Sequence, residues 1–160
     1  MIQYSSRLVC GWLILLVAIA PAYGDETKEI VREVLKKVPL IDGHNDLPWQ
    51  CRARFDNHLD QFSPHETTED LSPAMHTDLP RLREGGVGGQ FWSVYVPTRL
   101  KGADAVQATM EQIDVVRRLV AKYPDILELA TTENDIRRIH KAGRIASLIG
   151  MEGGHSIGNS

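Results

Sequence analysis

The residues best suited to chemistry fall in two short clusters, Asp42-Gly43-His44-Asn45-Asp46 and Met151-Glu152-Gly153-Gly154-His155. On an extended backbone, side chains two apart share a face, so His44 and Asp46 point together while Gly43 and Asn45 point away. An imidazole beside a carboxylate offers a first-row metal both a nitrogen and an oxygen ligand. The same residues also suit a strand-end turn in which Asp and Asn bond to backbone, and spacing alone leaves both readings open. Glu152 directly follows a run of apolar and small residues, so its carboxylate is expected at a buried or half-buried strand end, where a charge needs a cation. Gly153-Gly154 would let the backbone bend closely around that cation, although a helix-capping Glu with a glycine turn fits these residues equally well.

These clusters need elements to bring them together. Val38-Pro39-Leu40-Ile41 reads as a short buried strand whose tip carries His44 and Asp46. Gln90–Val96 is a second strand, dense in aromatic and β-branched residues, Ile126–Ala130 a brief third and Ile145–Gly150 a fourth. Helical spacing of Ile30, Val31, Val34, Leu35 and Val38 predicts a helix over Asp25–Val38. The clearest helix is Ala103–Tyr123, with Val106, Met110, Ile113, Val116, Leu119, Val120 and Tyr123 on one stripe. Leu79–Glu84 makes one or two turns behind Thr77 and Asp78, and Ile136–Ala142 follows a Thr132/Asp135 capping box. Residues 52–76 read as a long surface excursion. The Gly85–Gly89 run precedes a strand instead of joining strand to helix, so it fails the dinucleotide template and reads as a turn.

Uniformly apolar strands alternating with helices argue an α/β fold with a parallel sheet, and a (β/α)8 barrel is the leading candidate. Such a barrel takes about 250 residues, so this chain is expected to hold about the first four βα units and to be incomplete. The C-terminal ends of barrel strands share one rim, which would make His44, Asp46 and Glu152 neighbours around a zinc-type site.

Composition bounds the partners. With 42% hydrophobic and 24% charged residues and a formal net charge of −3, the balance is ordinary for a globular protein. Arg81, Arg83, Arg117, Arg118, Arg137 and Arg138 alternate with acids, so no nucleic-acid partner is expected. Arg7, an apolar run from Leu8 to Ala20 and then Pro21-Ala22-Tyr23-Gly24 form a signal-peptide pattern. Its apolar run is shorter than the ~20 residues a spanning helix needs. Residues 1–24 are therefore expected to be a leader and 25–160 the barrel domain, exported to a periplasm or secreted, with no transmembrane helix once the leader is removed. Cys10 would leave with the leader, and Cys51 is expected to be a buried thiol instead of a nucleophile. His58, His65, His76 and His140 are expected to be solvated, and His155 to support the site or its turn.

Four stretches carry a resemblance: Leu40–Trp49, His76–Leu82, Gly86–Tyr95 and Ala146–Ser156. In this order they closely resemble the membrane (renal) dipeptidases, zinc-dependent enzymes, and in wording the bacterial exported members. The resemblance implies a (β/α)8 barrel of the metal-dependent hydrolase type with two zinc ions. His44 and Asp46 would hold one ion and Glu152 would bridge both, Asp46 and Glu152 thereby serving catalysis. It implies hydrolysis of the amide bond of dipeptide substrates by a metal-bridging hydroxide. Two further His ligands, and the groups that hold the dipeptide's termini, would lie in a downstream half, so these 160 residues alone are expected to be inactive. A homodimer and a C-terminal membrane attachment stay open. The competing readings are a truncated, non-catalytic barrel and an exported binding protein that uses the same barrel.

Overall fold

A computed structural model of the chain describes residues 23–158. The expected leader lies outside the described residues, apart from Tyr23 and Gly24, which open the first helix. The elements run α1 (Tyr23–Lys37), β1 (Leu40–Asn45), α2 (Leu47–Phe55), α3 (Leu79–Glu84), β2 (Val87–Val94), α4 (Gly102–Lys122), β3 (Leu127–Leu129), α5 (Glu133–Lys141) and β4 (Ile145–Met151), followed by a 3-10 turn at Gly154–Ile157. Pro39 stops α1 because it has no N–H to extend the helix; the bond from Val38 N–H to the Val34 carbonyl, 2.9 Å, is the last before it. At α5 the capping box is complete: the Thr132 hydroxyl accepts from Asp135 N–H, and the Asp135 carboxylate accepts from Thr132 N–H.

The four strands form one wholly parallel sheet flanked by helices, the α/β class that the alternation of elements implies. Their order is β1-β2-β4-β3. β4 passes over β3 to pair with β2 from Gly89↔Ala146 to Val94↔Met151, and the short β3 is left at the edge on Ile145–Ser147. β2 is thus an inner strand with both edges paired, and its residues are buried or nearly so.

The main core gathers Trp92 and Val94 of β2 with Leu47 and Cys51 of α2 and Val115, Val116, Leu119 and Val120 of α4. In α4 the buried stripe is rotated from the expected one in its first half. Ala105, Ala108, Thr109 and Gln112 face inward, whereas Val106 and Met110 are exposed. Small side chains let the helix approach the sheet closely, and that approach, not residue hydrophobicity, sets the stripe. α2 was not expected as a helix. Leu47, Cys51 and Phe55 do recur every four residues on its packed face, Pro48 suits a first turn, and the left-handed Asp56 (φ 48°) closes the helix.

β1 departs from the buried strand that was predicted. Among the described residues it pairs only with β2, and Leu40 and Ile41 stay about two-fifths exposed, as do Ile30, Val31, Val34 and Val38 to a greater degree on α1. His140 is not solvated either: its Nε2–H donates to the Leu35 carbonyl at 2.8 Å and ties α1 to α5.

The glycine run divides. Gly85 and Gly86 make the expected turn, but Gly88 and Gly89 lie within β2 because neighbours crowd them. A Cβ on Gly88 would lie 2.7 Å from Pro39 Cβ and 2.8 Å from both Pro39 Cα and His140 Cδ2. One on Gly89 would meet only the end of the Ile41 side chain at that range, 2.6 Å from Cδ1. A backbone cannot rotate aside as a side chain can. Gly88→Ala is therefore expected to destabilise by about 1–3 kcal/mol and Gly89→Ala by distinctly less. Thermal unfolding followed by circular dichroism checks this, and equal losses would show that the contact with Pro39 is not what excludes a side chain.

Candidate metal centre

β1 and β4 end on the same rim, on either side of β2. The register between β1 and β2 slips after Asp42↔Gln90, resuming at Asn45↔Trp92, so the strand carries an irregularity at Gly43-His44. Bulges of this kind re-aim side chains. Two buried amides hold it: Gln90 Nε2 donates to the Asp42 carbonyl at 3.3 Å, and Asn45 Nδ2 donates to Gln90 Oε1 at 3.3 Å. Asn45 Oδ1 accepts in turn from Leu47 N–H at 3.0 Å and from the Thr77 hydroxyl at 3.2 Å. Asn45 therefore faces inward, away from His44 and Asp46, and caps the start of α2 from one residue further back.

Asp46 occupies the N-cap position of α2, yet its side chain makes no capping bond. An aspartate there ordinarily accepts from the first-turn amides. Because Asn45 serves Leu47 N–H, the Asp46 carboxylate is left to face the rim, with Oδ1 at 3.2 Å from His44 Nε2. Asp42 folds back instead, its Oδ1 accepting from His44 N–H at 3.1 Å.

Glu152 follows β4 and reaches the same place, its Oε2 lying 3.8 Å from His44 Nε2. One ligand atom each from His44, Asp46 and Glu152 lies within 4.8 Å of the other two. All three side chains are about half exposed, at 56, 53 and 46%. No arginine or lysine pairs with Asp46 or Glu152 among the described residues. One imidazole and two carboxylates, open to solvent on one side, form a donor set that fits a divalent cation of the zinc type.

The turn after Glu152 is tightly defined. Gly153 has φ 86°, a region open to glycine, and a Cβ there would lie 2.6 Å from His155 Cε1. The His155 ring covers that glycine and its Nε2–H donates to the Val96 carbonyl at 3.0 Å. The Ser156 hydroxyl donates to the Glu152 carbonyl at 3.1 Å, and the buried Ser93 hydroxyl donates to Glu152 Oε2 at 2.8 Å. Sequence reasoning missed Ser93 and Gln90, and it placed Asn45 away from the ligands without its bonds to Gln90 and Leu47. Only the strand register connects them to the ligands, although polar residues inside an otherwise apolar strand are a legible signal.

Cys51 is buried in the core, where burial pushes its thiol up to about 11 against the smaller opposing pull of Arg118 and Lys122. Burial thus favours the thiol over the reactive thiolate, as expected of a buried Cys. A cavity of about 1410 Å³ lies between α1, α5 and the starts of the strands, lined by Lys28, Arg83, Lys141 and Ile145 among others. It is at the opposite end of the strands from His44, Asp46 and Glu152.

The model of the family described as Membrane dipeptidase (Peptidase family M19) matches residues 28–160. Dipeptidase ataJ of Aspergillus terreus is 43% identical over 137 residues, covering 81% of this chain and 32% of that protein. Dipeptidase 3 of Rattus norvegicus is 42% identical over 133 residues, covering 83% of this chain and 25% of that protein. This chain thus spans a quarter to about a third of the length of these relatives. Among solved structures, a metallo peptidase from Rhodobacter sphaeroides, liganded with a phosphinate mimic of the dipeptide L-Ala-D-Ala, superposes with a TM-score of 0.63 at 21% identity. The superposition covers 76% of this chain and 40% of that one. That likeness concerns the fold, and it puts the parallel sheet with its flanking helices in the (β/α)8 class anticipated from the sequence.

The inward-facing Asn45 generates a prediction. Asn45→Ala orphans Gln90 Oε1 and Leu47 N–H and is expected to cost about 1–3 kcal/mol of stability. It leaves the three ligand side chains in place, so metal uptake at saturating zinc should persist where Asp46→Ala loses it. Denaturant titration and metal analysis of both variants check this, and equal metal loss in the two would mean that Asn45 faces the metal.

Proposed function

Because this chain belongs to the membrane dipeptidase family, we propose that it forms part of a zinc-dependent metallopeptidase that hydrolyses the amide bond of dipeptides. The observation that carries this reading is the convergence of His44, Asp46 and Glu152, from two strands far apart in sequence, to within 4.8 Å of one another. The peptidic mimic named for the Rhodobacter sphaeroides structure and the dipeptidase names of the curated relatives support the substrate class.

In this reading His44 and Asp46 would hold one zinc ion, and Glu152 would be shared between that ion and a second. Bound zinc supplies Lewis acidity towards the scissile carbonyl and activates water near neutral pH. The chain's own residues supply charge and position. Two carboxylates with no ammonium or guanidinium partner among the described residues give the rim its attraction for cations, and the imidazole adds a nitrogen ligand. Side chains held by β1 and β4 meet the substrate pre-organised, so little reorganisation accompanies the reaction. Residues 1–24 are read as a leader that exports the protein to a periplasm or the exterior. None of the described helices is long and apolar enough to cross a membrane.

The test uses protein expressed from its complete reading frame, with zinc content measured at matched free zinc and turnover measured on a dipeptide such as Gly-Leu. Glu152→Gln keeps the shape and removes the charge, so both ions should bind more weakly. Turnover should fall on the order of 10²–10³-fold, the scale on which single pre-organised electrostatic groups act. His44→Ala should weaken chiefly one ion. If Glu152→Gln retains two zinc ions per chain and near-normal turnover, Glu152 is not the bridge.

A further inference from the structure

Ser93 lies in β2 between Trp92 and Val94, each with no exposed surface, and is itself only 3% exposed. A hydroxyl enclosed in this way is costly unless it finds a partner. Burial in this sheet does not by itself supply one: the Ser147 hydroxyl on β4 is equally buried and bonds to nothing among the described residues. Ser93 has one, and it is Glu152 Oε2, at 2.8 Å.

The direction of that bond follows from the chemistry of the two groups. An ionised carboxylate only accepts, so the serine donates. The oxygen it engages is the one that lies 3.8 Å from His44 Nε2. Register sets the distance, since Ser93 pairs with Gly150 and Glu152 stands two residues further along, on the same face.

The backbone of Glu152 is already restrained by the Ser156 hydroxyl on its carbonyl and by the left-handed turn at Gly153 under the His155 ring. What remains free is the side chain. It is nearly half exposed and no cation pairs with it among the described residues, so its rotamers would otherwise spread into solvent. We propose that Ser93 is a positioning residue that aims the Glu152 carboxylate at the metal site, its hydroxyl holding Oε2 in the orientation that meets His44 and Asp46.

The proposal rests on the reading of these residues as a metal centre, and the experiment separates the two. Protein from the complete reading frame is stripped of metal and titrated with Zn2+ alone, as wild type, Ser93→Ala, Ser93→Thr, Glu152→Gln and the Ser93→Ala/Glu152→Gln double variant. Outer partners of metal ligands are worth about 10- to 100-fold in affinity, so Ser93→Ala should weaken zinc binding by that factor. Ser93→Thr keeps the hydroxyl and should recover most of the loss. In the Glu152→Gln background Ser93→Ala should add little, within about twofold, because both changes act through one carboxylate.

Unchanged zinc affinity in Ser93→Ala overturns the proposal. So does an equal loss with and without Glu152, or a loss matched by a fall in the unfolding midpoint of the metal-free protein, since each marks a general packing effect. A wild type that takes up no zinc removes the metal centre itself and this inference with it. Zinc uptake by wild type together with an indifferent Ser93 removes this inference alone.

Discussion

Two carboxylates held within ligand distance of one imidazole repel each other, and the backbone that carries them must withstand that repulsion wherever no cation offsets it. Like charges 4 Å apart interact by about 1 kcal/mol in water and about 4 kcal/mol at an effective dielectric of 20. The half-exposed Asp46 and Glu152 side chains lie towards the weaker end of that range. The repulsion is still enough to scatter flexible side chains, so each is restrained from a different direction. The backbone on either side of Asp46 is held through the Asn45 and Gln90 amides, and Glu152 by two serines and a glycine turn. Neither restraint brings a positive charge, which leaves the attraction for a metal undiminished.

β2 is the element on which both restraints converge. One of its edges pairs with β1 and the other with β4, and each pairing is supplemented by a side chain: Gln90 bonds across to β1, and Ser93 to the residue that follows β4. The same strand supplies Trp92 and Val94 to the core, so its position is fixed by packing before any ligand arrives. Rigid elements hold a constellation more tightly than loops can, and here a central parallel strand sets the relation between two rim segments.

Much of this was legible from residue types. The His44/Asp46 pair and the carboxylate after an apolar run pointed to the rim, and the alternation of apolar strands with periodic helices pointed to a parallel sheet. The Thr132/Asp135 cap was readable because its chemistry is local. What escaped depends on neighbours distant in sequence. Gly88 and Gly89 resemble a turn until Pro39, His140 and Ile41 are seen against them. α2 is so short that its buried face, Leu47, Pro48 and Cys51, spans little more than one turn, and the rotation of α4 reflects small residues at a close approach. Strand order is a property of pairing between strands, so no single strand records it, and β3 gives no local sign that β4 will pass it. Among the described residues β1 pairs with β2 alone, which leaves Leu40 and Ile41 partly exposed whatever their composition.

The pairing of β2 with β4 across the whole α4–β3–α5 excursion also bears on how the chain reaches its native state. Contacts between segments so distant form only after the intervening loop has been closed, and loops of this kind slow folding more than they weaken the product. In the proposed metal centre a divalent ion would meet only His44 and Asp46 until that pairing exists. Once it exists Glu152 joins them, so metal binding would favour the paired sheet by mass action, and free metal in solution would become part of what holds the strands together.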